Sequence, residues 1–267
     1  DWGGQGYFDD DLVWTQDLQL GQTNRLKTLI WNSPELNAMF VRRVRTLMDE
    51  QLEPSSTPLA QRKMENRINE LNELIDPSGV TSDADLDFTK WGSWRDGGGS
   101  STASSNMMRN QTQRLIDQYL PNRRTYLYGG SPSSNGLGIP AAQQGEPVLT
   151  IEDIDFLPTS GNQDEEYFVV KNHDSSSVDI SGWQIRGAVE MTFKAGTIIP
   201  AGDGDLASDY VGLLHVAKSS SAFRARATGP SGGQYRFVQG QYSGQLSARG
   251  ETIELWDADG NMITSKS

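Results

Sequence analysis

The stretch 165–186, Glu-Glu-Tyr-Phe-Val-Val-Lys-Asn-His-Asp-Ser-Ser-Ser-Val-Asp-Ile-Ser-Gly-Trp-Gln-Ile-Arg, constrains the fold more than any other part of this chain. Tyr167, Phe168, Val169 and Val170 form an aromatic and β-branched run with strand character. Residues 172–177 are a polar turn, where short side chains hydrogen-bond the backbone and let it reverse. Val178, Ile180, Trp183 and Ile185 then resume an alternating apolar pattern, with Gly182 placed for a bend or bulge before the tryptophan. Strand, reversal and a kinked strand carrying Trp predict two sheets packed on an aromatic anchor.

The rest of the C-terminal half repeats this character. Apolar segments at 148–151, 154–156, 191–193, 196–202, 210–216, 235–238, 245–247, 251–256 and 262–263 are separated by Gly, Asp and Ser turns. About eight short strands in ~120 residues is a sandwich pattern. The run 210–216 is nearly continuous and reads as buried on both faces. The stretch 165–186 resembles the opening hairpin of lamin-tail domains, and the resemblance covers roughly residues 146–264. It implies an immunoglobulin-like β-sandwich that serves as a binding or structural module.

Upstream the period changes from two to 3.6. Ser33-Pro34-Glu35 reads as N-cap, first helical residue and acidic first turn. Leu36, Met39, Phe40, Val44, Leu47 and Met48 then share one face, with Arg42, Arg43 and Arg45 off it. Residues 53–58 break the chain, and 59–76 form a second helix through Met64, Ile68, Leu71 and Ile75, stopped by Asp76-Pro77. The two read as an antiparallel helical hairpin. A third helix covers 108–119 and is expected to end at Pro121. Before the first helix, residues 12–21 suit a strand that ends at a glycine turn.

Three segments carry a second resemblance, to the spore-coat-protein-H (CotH) kinase-like family. They are Trp14-x-x-Asp17-Leu18-x-Leu20-Gly21, Asn32-Ser33-Pro34-Glu35 with Arg42-Arg43-Val44-Arg45-x-Leu47, and Tyr119-Leu120-x-x-Arg123-Arg124-x-x-Leu127. Together they cover about residues 7–128 and are similar to the C-terminal part of that family. The resemblance implies that Asp17 is a metal ligand on the phosphate side of a nucleotide site, and that a complete parent protein uses Mg-ATP. Gln16 and Thr15 depart from the family's more acidic pattern, and the kinase's nucleotide-binding lysine and catalytic aspartate belong to sequence upstream of this stretch. The expected architecture is therefore α+β: a helical, kinase-derived piece at 1–130, a Gly/Ser/Pro/Gln-rich linker at 131–145 and a lamin-tail-like sandwich at 146–267.

Composition narrows the function. The formal net charge of −12 divides into −4 for residues 1–130 and −8 for 131–267, so neither half offers the basic face that nucleic acid requires. An acidic balance also argues against anionic membranes, and no apolar run approaches the ~20 residues of a membrane span. With no cysteine there is no thiol nucleophile, Cys-type zinc site or disulfide, which is compatible with a secreted bacterial protein. The start at Asp1 rather than Met implies processing or a longer parent.

Four places invite chemistry. Asp203, Asp205 and Asp209 sit in one loop and are candidate calcium ligands. Asp83, Asp85 and Asp87 alternate like the start of a calcium loop, yet helix capping explains them as well. Asp257-x-Asp259-Gly260-Asn261 mimics the head of an EF-hand loop but lies between two strands, where a hairpin turn explains it. His173 and His215 permit a Ser-His-Asp triad in principle, though neither lies near a nucleophile-elbow motif.

The expected role is an interaction or structural module of an extracellular or cell-envelope protein, with a protein or cell-surface partner. The alternatives are the C-terminal part of an active secreted kinase, and a carbohydrate-binding sandwich that uses exposed aromatics such as Tyr235 or Tyr242.

Overall fold

The computed structural model describes residues 25–91, 108–129, 138–143, 146–204, 211–231, 236–247 and 249–267. Among these, the chain divides into two compact units, one of residues 45–140 and one joining 25–44 to 141–267. The strand expected at 12–21 lies outside the described residues.

In the second unit, α1 (Arg25–Asn32) and α2 (Pro34–Leu47) flank Ser33, whose Oγ accepts from Leu36 N at 3.3 Å, the cap that the sequence predicts. The buried face of α2 differs from the expected one. Val41 and Arg42 are buried and Leu47 is exposed. Arg42 is tolerated inside because its stem packs while its Nη1 donates to Ala141 O at 2.9 Å. Residues 34–44 group with the sandwich unit, whereas the end of that helix from Arg45 onward and the second predicted helix belong to the helical unit.

The helical unit is built around a buried arginine. After α2 a π turn, Met48–Leu52, widens the helix and ends at Glu53, whose φ is 54°. Arg124 is fully buried and answers the carbonyls freed there, donating from Nε to Leu52 O (3.0 Å) and Glu53 O (2.7 Å) and from Nη2 to Leu52 O (2.7 Å). The Nη2 also pairs with Glu65 Oε1 at 2.7 Å. Glu65 therefore turns inward on α3 (Lys63–Ile75), together with Asn72, while Met64 and Ile75 of the expected apolar face are exposed. Glu53 receives Lys63 N at 3.1 Å and caps α3, and Asn72 Nδ2 donates to Thr112 Oγ1 at 2.7 Å. Ion pair and caps, rather than periodicity, decide which side of α3 is buried.

Ser82 and Asp85 form a reciprocal cap on α4 (Asp83–Trp91): Asp85 N donates to Ser82 Oγ at 3.0 Å and Ser82 N to Asp85 Oδ2 at 3.1 Å. The acidic run 83–87 is thus a helix start. The third predicted helix runs through Pro121 instead of ending there. It consists of α5 (Met108–Arg114), a π turn (Leu115–Tyr119) and α6 (Leu120–Tyr128). The π turn makes room where the proline ring would meet the preceding carbonyl, and Asn122 Nδ2 donates to Gln118 O at 2.9 Å.

The sandwich consists of one sheet in the order β1 (Leu149–Asp155), β2 (Tyr167–Asn172), β7 (Leu213–Ala217), β8 (Phe237–Gly240), with β7 and β8 parallel. The facing sheet runs β11 (Met262–Lys266), β10 (Ile253–Trp256), β4 (Gln184–Gly187), β5 (Val189–Thr192), β9 (Ser243–Gly244). A short pair joins β3 (Val178–Asp179) to β6 (Ile198–Ile199). The stretch 165–186 is consequently not a hairpin. β2 pairs with β1 and β7, and the turn after it carries the chain out of that sheet into β3.

Phe168 and Val170 point between the sheets and meet Ile180, Trp183, Ile185, Phe193 and Leu255. Gly182, with φ at 76°, supplies the left-handed residue that turns Trp183 inward. Tyr167 and Val169 point the other way, beneath Phe223 of α7 (Ser220–Arg224), a helix that the sequence reading missed. The run 210–216 is buried on both faces over its described strand. The segment 245–247 forms no strand, and the two segments 148–151 and 154–156 are one strand bulged between Glu152 and Asp155.

Candidate functional site

Asp17, Asp205, Asp209 and Tyr235 lie outside the described residues. Asp203 is exposed just after Gly202, and among the described residues no cluster of three His, Asp or Glu side chains has the geometry of a metal site. Asp257 closes the β10–β11 hairpin, its Oδ1 accepting from Asn261 N (2.7 Å) and its Oδ2 from Asn261 Nδ2 (2.8 Å). Those bonds hold the Asp257 carboxyl below its usual range. Tyr242 is no sugar platform. It is buried, with its ring 6.0 Å from that of Phe168 and its hydroxyl facing the Glu166 carboxylate.

Strand alternation puts a polar set on the outer face of the first sheet. Thr150 lies opposite Lys171, and Glu152 and His215 lie opposite Val169 on either side. The Thr150 hydroxyl is 2.8 Å from His173 Nε2 and 2.8 Å from Glu152 Oε1. These are the residue types of a nucleophile relay, but not its order. The carboxylate sits on the hydroxyl side of the imidazole, and His173 Nδ1, which a triad would pair with an acid, is buried without a partner. His215 accepts from Arg236 Nη1 at 3.1 Å through Nε2, and burial, then the Arg236 charge, lowers its pKa to about 4. It is a neutral structural histidine.

A second polar group lies toward the other end. Glu166 is fully buried, accepts from Leu246 N at 3.2 Å and has Lys218 Nζ at 3.7 Å. Burial pushes its carboxyl up, against the pull of the Leu246 bond and of Lys218. Nothing in the sequence singles out Glu166, because a Glu before a strand is normally a solvated end.

The sandwich also carries an apolar cleft of about 370 Å³, lined chiefly by Ile154, Phe156, Ala188, Leu246 and Ile253, with Glu251 and Ser267 in its wall. Phe156 and its neighbour Leu157 are exposed. The cleft has the form of a ligand surface, and its chemistry is contact rather than proton transfer.

Two sheets packed face to face on Trp183, with this connectivity, define an immunoglobulin-like β-sandwich in a chain that is α+β as a whole. Residues 142–267 match the family model described as Lamin Tail Domain, and this part of the chain is a lamin-tail domain. No curated protein matches the chain. Among the described residues no helix is long and apolar enough to cross a membrane.

Proposed function

We propose that the chain is an interaction or structural module of a secreted or cell-envelope protein, its sandwich binding a protein or surface component through the apolar cleft. The observation that carries this reading is the cleft itself, apolar, open to solvent and bordered by exposed Phe156 and Leu157 on a lamin-tail scaffold. A photo-cross-linking residue at Phe156 tests it in the source cell, with one at Lys194 as the control. A discrete adduct from position 156 that is lost on Leu157→Ser supports the reading, and equal adducts from both positions overturn it.

A second reading concerns the upstream piece, as the C-terminal portion of a CotH-like kinase occupying 1–130, joined through 131–145. It is supported by the three sequence segments that resemble that family, two of which lie largely in α2 and α6. On this reading Asp17 serves Mg-ATP only in the complete parent, and calorimetry showing micromolar Mg-ATP binding to the 267-residue chain would refute that restriction. Calcium binding by Asp203, Asp205 and Asp209 is tested by the melting temperature with and without the ion.

A further inference from the structure

Residues 25–44 group with the sandwich unit although the lamin-tail match begins at 142, and Arg43 is one of the side chains that tie them to it. Arg43 Nη1 donates to Asp179 Oδ2 at 3.0 Å and to Ser181 Oγ at 3.3 Å. The sandwich shapes the accepting end by itself. Asp179 Oδ1 accepts from Ser181 N (2.9 Å) and from the Ser181 hydroxyl (2.5 Å), Gly196 N donates to Ser181 Oγ (2.8 Å), and Asp179 N donates to Gln143 Oε1 (3.2 Å). The Asp179 side chain is 4% exposed against 22% for Arg43. One carboxylate oxygen is satisfied within the sandwich, and the other is left for a cation. A buried carboxylate lacking that cation is costly.

We infer that Asp179 and Ser181, braced by Gly196 and Gln143, are a guanidinium-binding site through which the sandwich takes an arginine-bearing helix, and that its occupant in this chain is α2, through Arg43. The inference deepens the reading of the sandwich as an interaction module by naming a second surface and its ligand chemistry. Both bonds leave one guanidinium nitrogen, Nη1, and a weakly hydrated guanidinium suits a carboxylate that is 4% exposed better than a strongly hydrated ammonium does. The ligand is already seated: α2 presents Arg43 while Arg42 bonds Ala141 O from the next position. The lamin-tail scaffold is thus completed by a helix from outside its own sequence limits.

Chemical rescue in the full chain tests the assignment. Arg43→Ala is expected to lower the sandwich's melting temperature by about 5 °C, read by segment-resolved hydrogen exchange. Ethylguanidinium at low millimolar concentration should restore at least half of the loss, and ethylammonium at equal ionic strength should not. The wild type and the Arg43→Ala/Asp179→Asn chain should respond to neither cation. The assignment is overturned if Arg43→Ala melts with the wild type, if the two cations act alike, or if the double variant is rescued. Should Arg43→Ala not fold, Arg43→Lys and Ser181→Ala must both lower the midpoint, and either one melting with the wild type overturns it. Failed rescue leaves the Phe156 adduct intact, and a missing adduct leaves the rescue intact, so this assignment and the cleft reading fail separately.

Discussion

In the sandwich the least exposed side chains are mostly apolar, with Phe168, Val170, Ile180, Ile199 and Leu255 at 0%, whereas in the helical unit they are Arg124 and Glu65, at 0% and 1%. One unit is ordered by alternation against an apolar interior, the other by an arginine that ties a π turn, a helix cap and an ion pair together. An apolar interior tolerates small changes of shape and is hurt by lost volume. A buried ion pair is hurt by losing one partner and not necessarily by losing both.

The largest expected effects break each interior in its own way. Trp183→Ala empties an aromatic site and should cost about 4 kcal/mol in urea unfolding of the sandwich. A near-wild-type midpoint would remove Trp183 from the centre of that core. Arg124→Ala should cost about 3 kcal/mol in the helical unit, because Glu65 and the Leu52 and Glu53 carbonyls lose their donor. Replacing both charges, as Arg124→Met with Glu65→Leu, should recover most of the Glu65 share of that loss. If the double variant is no more stable than the single one, the ion pair is not what separates the two units.

This contrast also decides what was legible in the chain. Alternation and Gly/Asp turns located nearly every strand, because in a sandwich the period of two and the buried face coincide. Pairing was harder: nothing local tells the residues after Asn172 to leave the sheet. That instruction is tertiary. Asn172 Nδ2 donates to Ser176 O and Pro200 O, both at 2.8 Å, and a Cβ at Gly212 would meet Asn172 O at 2.4 Å. In the helices the 3.6 period found the elements and misplaced the faces, since Glu65 and Arg42 are buried against partners far away in sequence, Arg124 and Ala141. The Asp179 site was illegible for the same reason, as its cation lies 136 residues away.

Titration separates the units again. His215 is in the sandwich, so its titration should act on that unit. His215 has a folded pKa near 4, below its ordinary value of 6.5, so between these limits the unfolded chain holds more protons. Its contribution is present above pH 6.5 and is lost as the pH falls toward 4. Glu166 acts in the opposite sense: its raised carboxyl stabilises the fold below the ordinary carboxylate range and loses that contribution as the pH rises through its folded value. On a Glu166→Gln background, lowering the pH from 7 to 5 should therefore cost the sandwich about 2 kcal/mol. Adding His215→Gln should abolish most of that loss. An unchanged slope would assign the acid sensitivity to other groups.

The smallest effects concern the two calcium-like acidic motifs among the described residues, one in each unit. In the helical unit Asp85 accepts Ser82 N, while Ser82 Oγ accepts Asp85 N and donates to Asp76 Oδ1 at 2.6 Å. In the sandwich Asp257 accepts from the backbone and side chain of Asn261. Each carboxylate is thus engaged by N–H donors, which a bound cation would have to displace. Ser82→Ala removes an N-cap and a second bond, and should cost about 1 kcal/mol. Asp257→Ala removes bonds at a solvated turn and should cost less than that. Calcium should raise neither unit's midpoint through these residues. A calcium-dependent stabilisation that disappears with Asp85→Asn or Asp257→Asn would show that the carboxylates prefer the ion to the backbone, and the likeness between the two motifs would then lie in metal binding rather than capping.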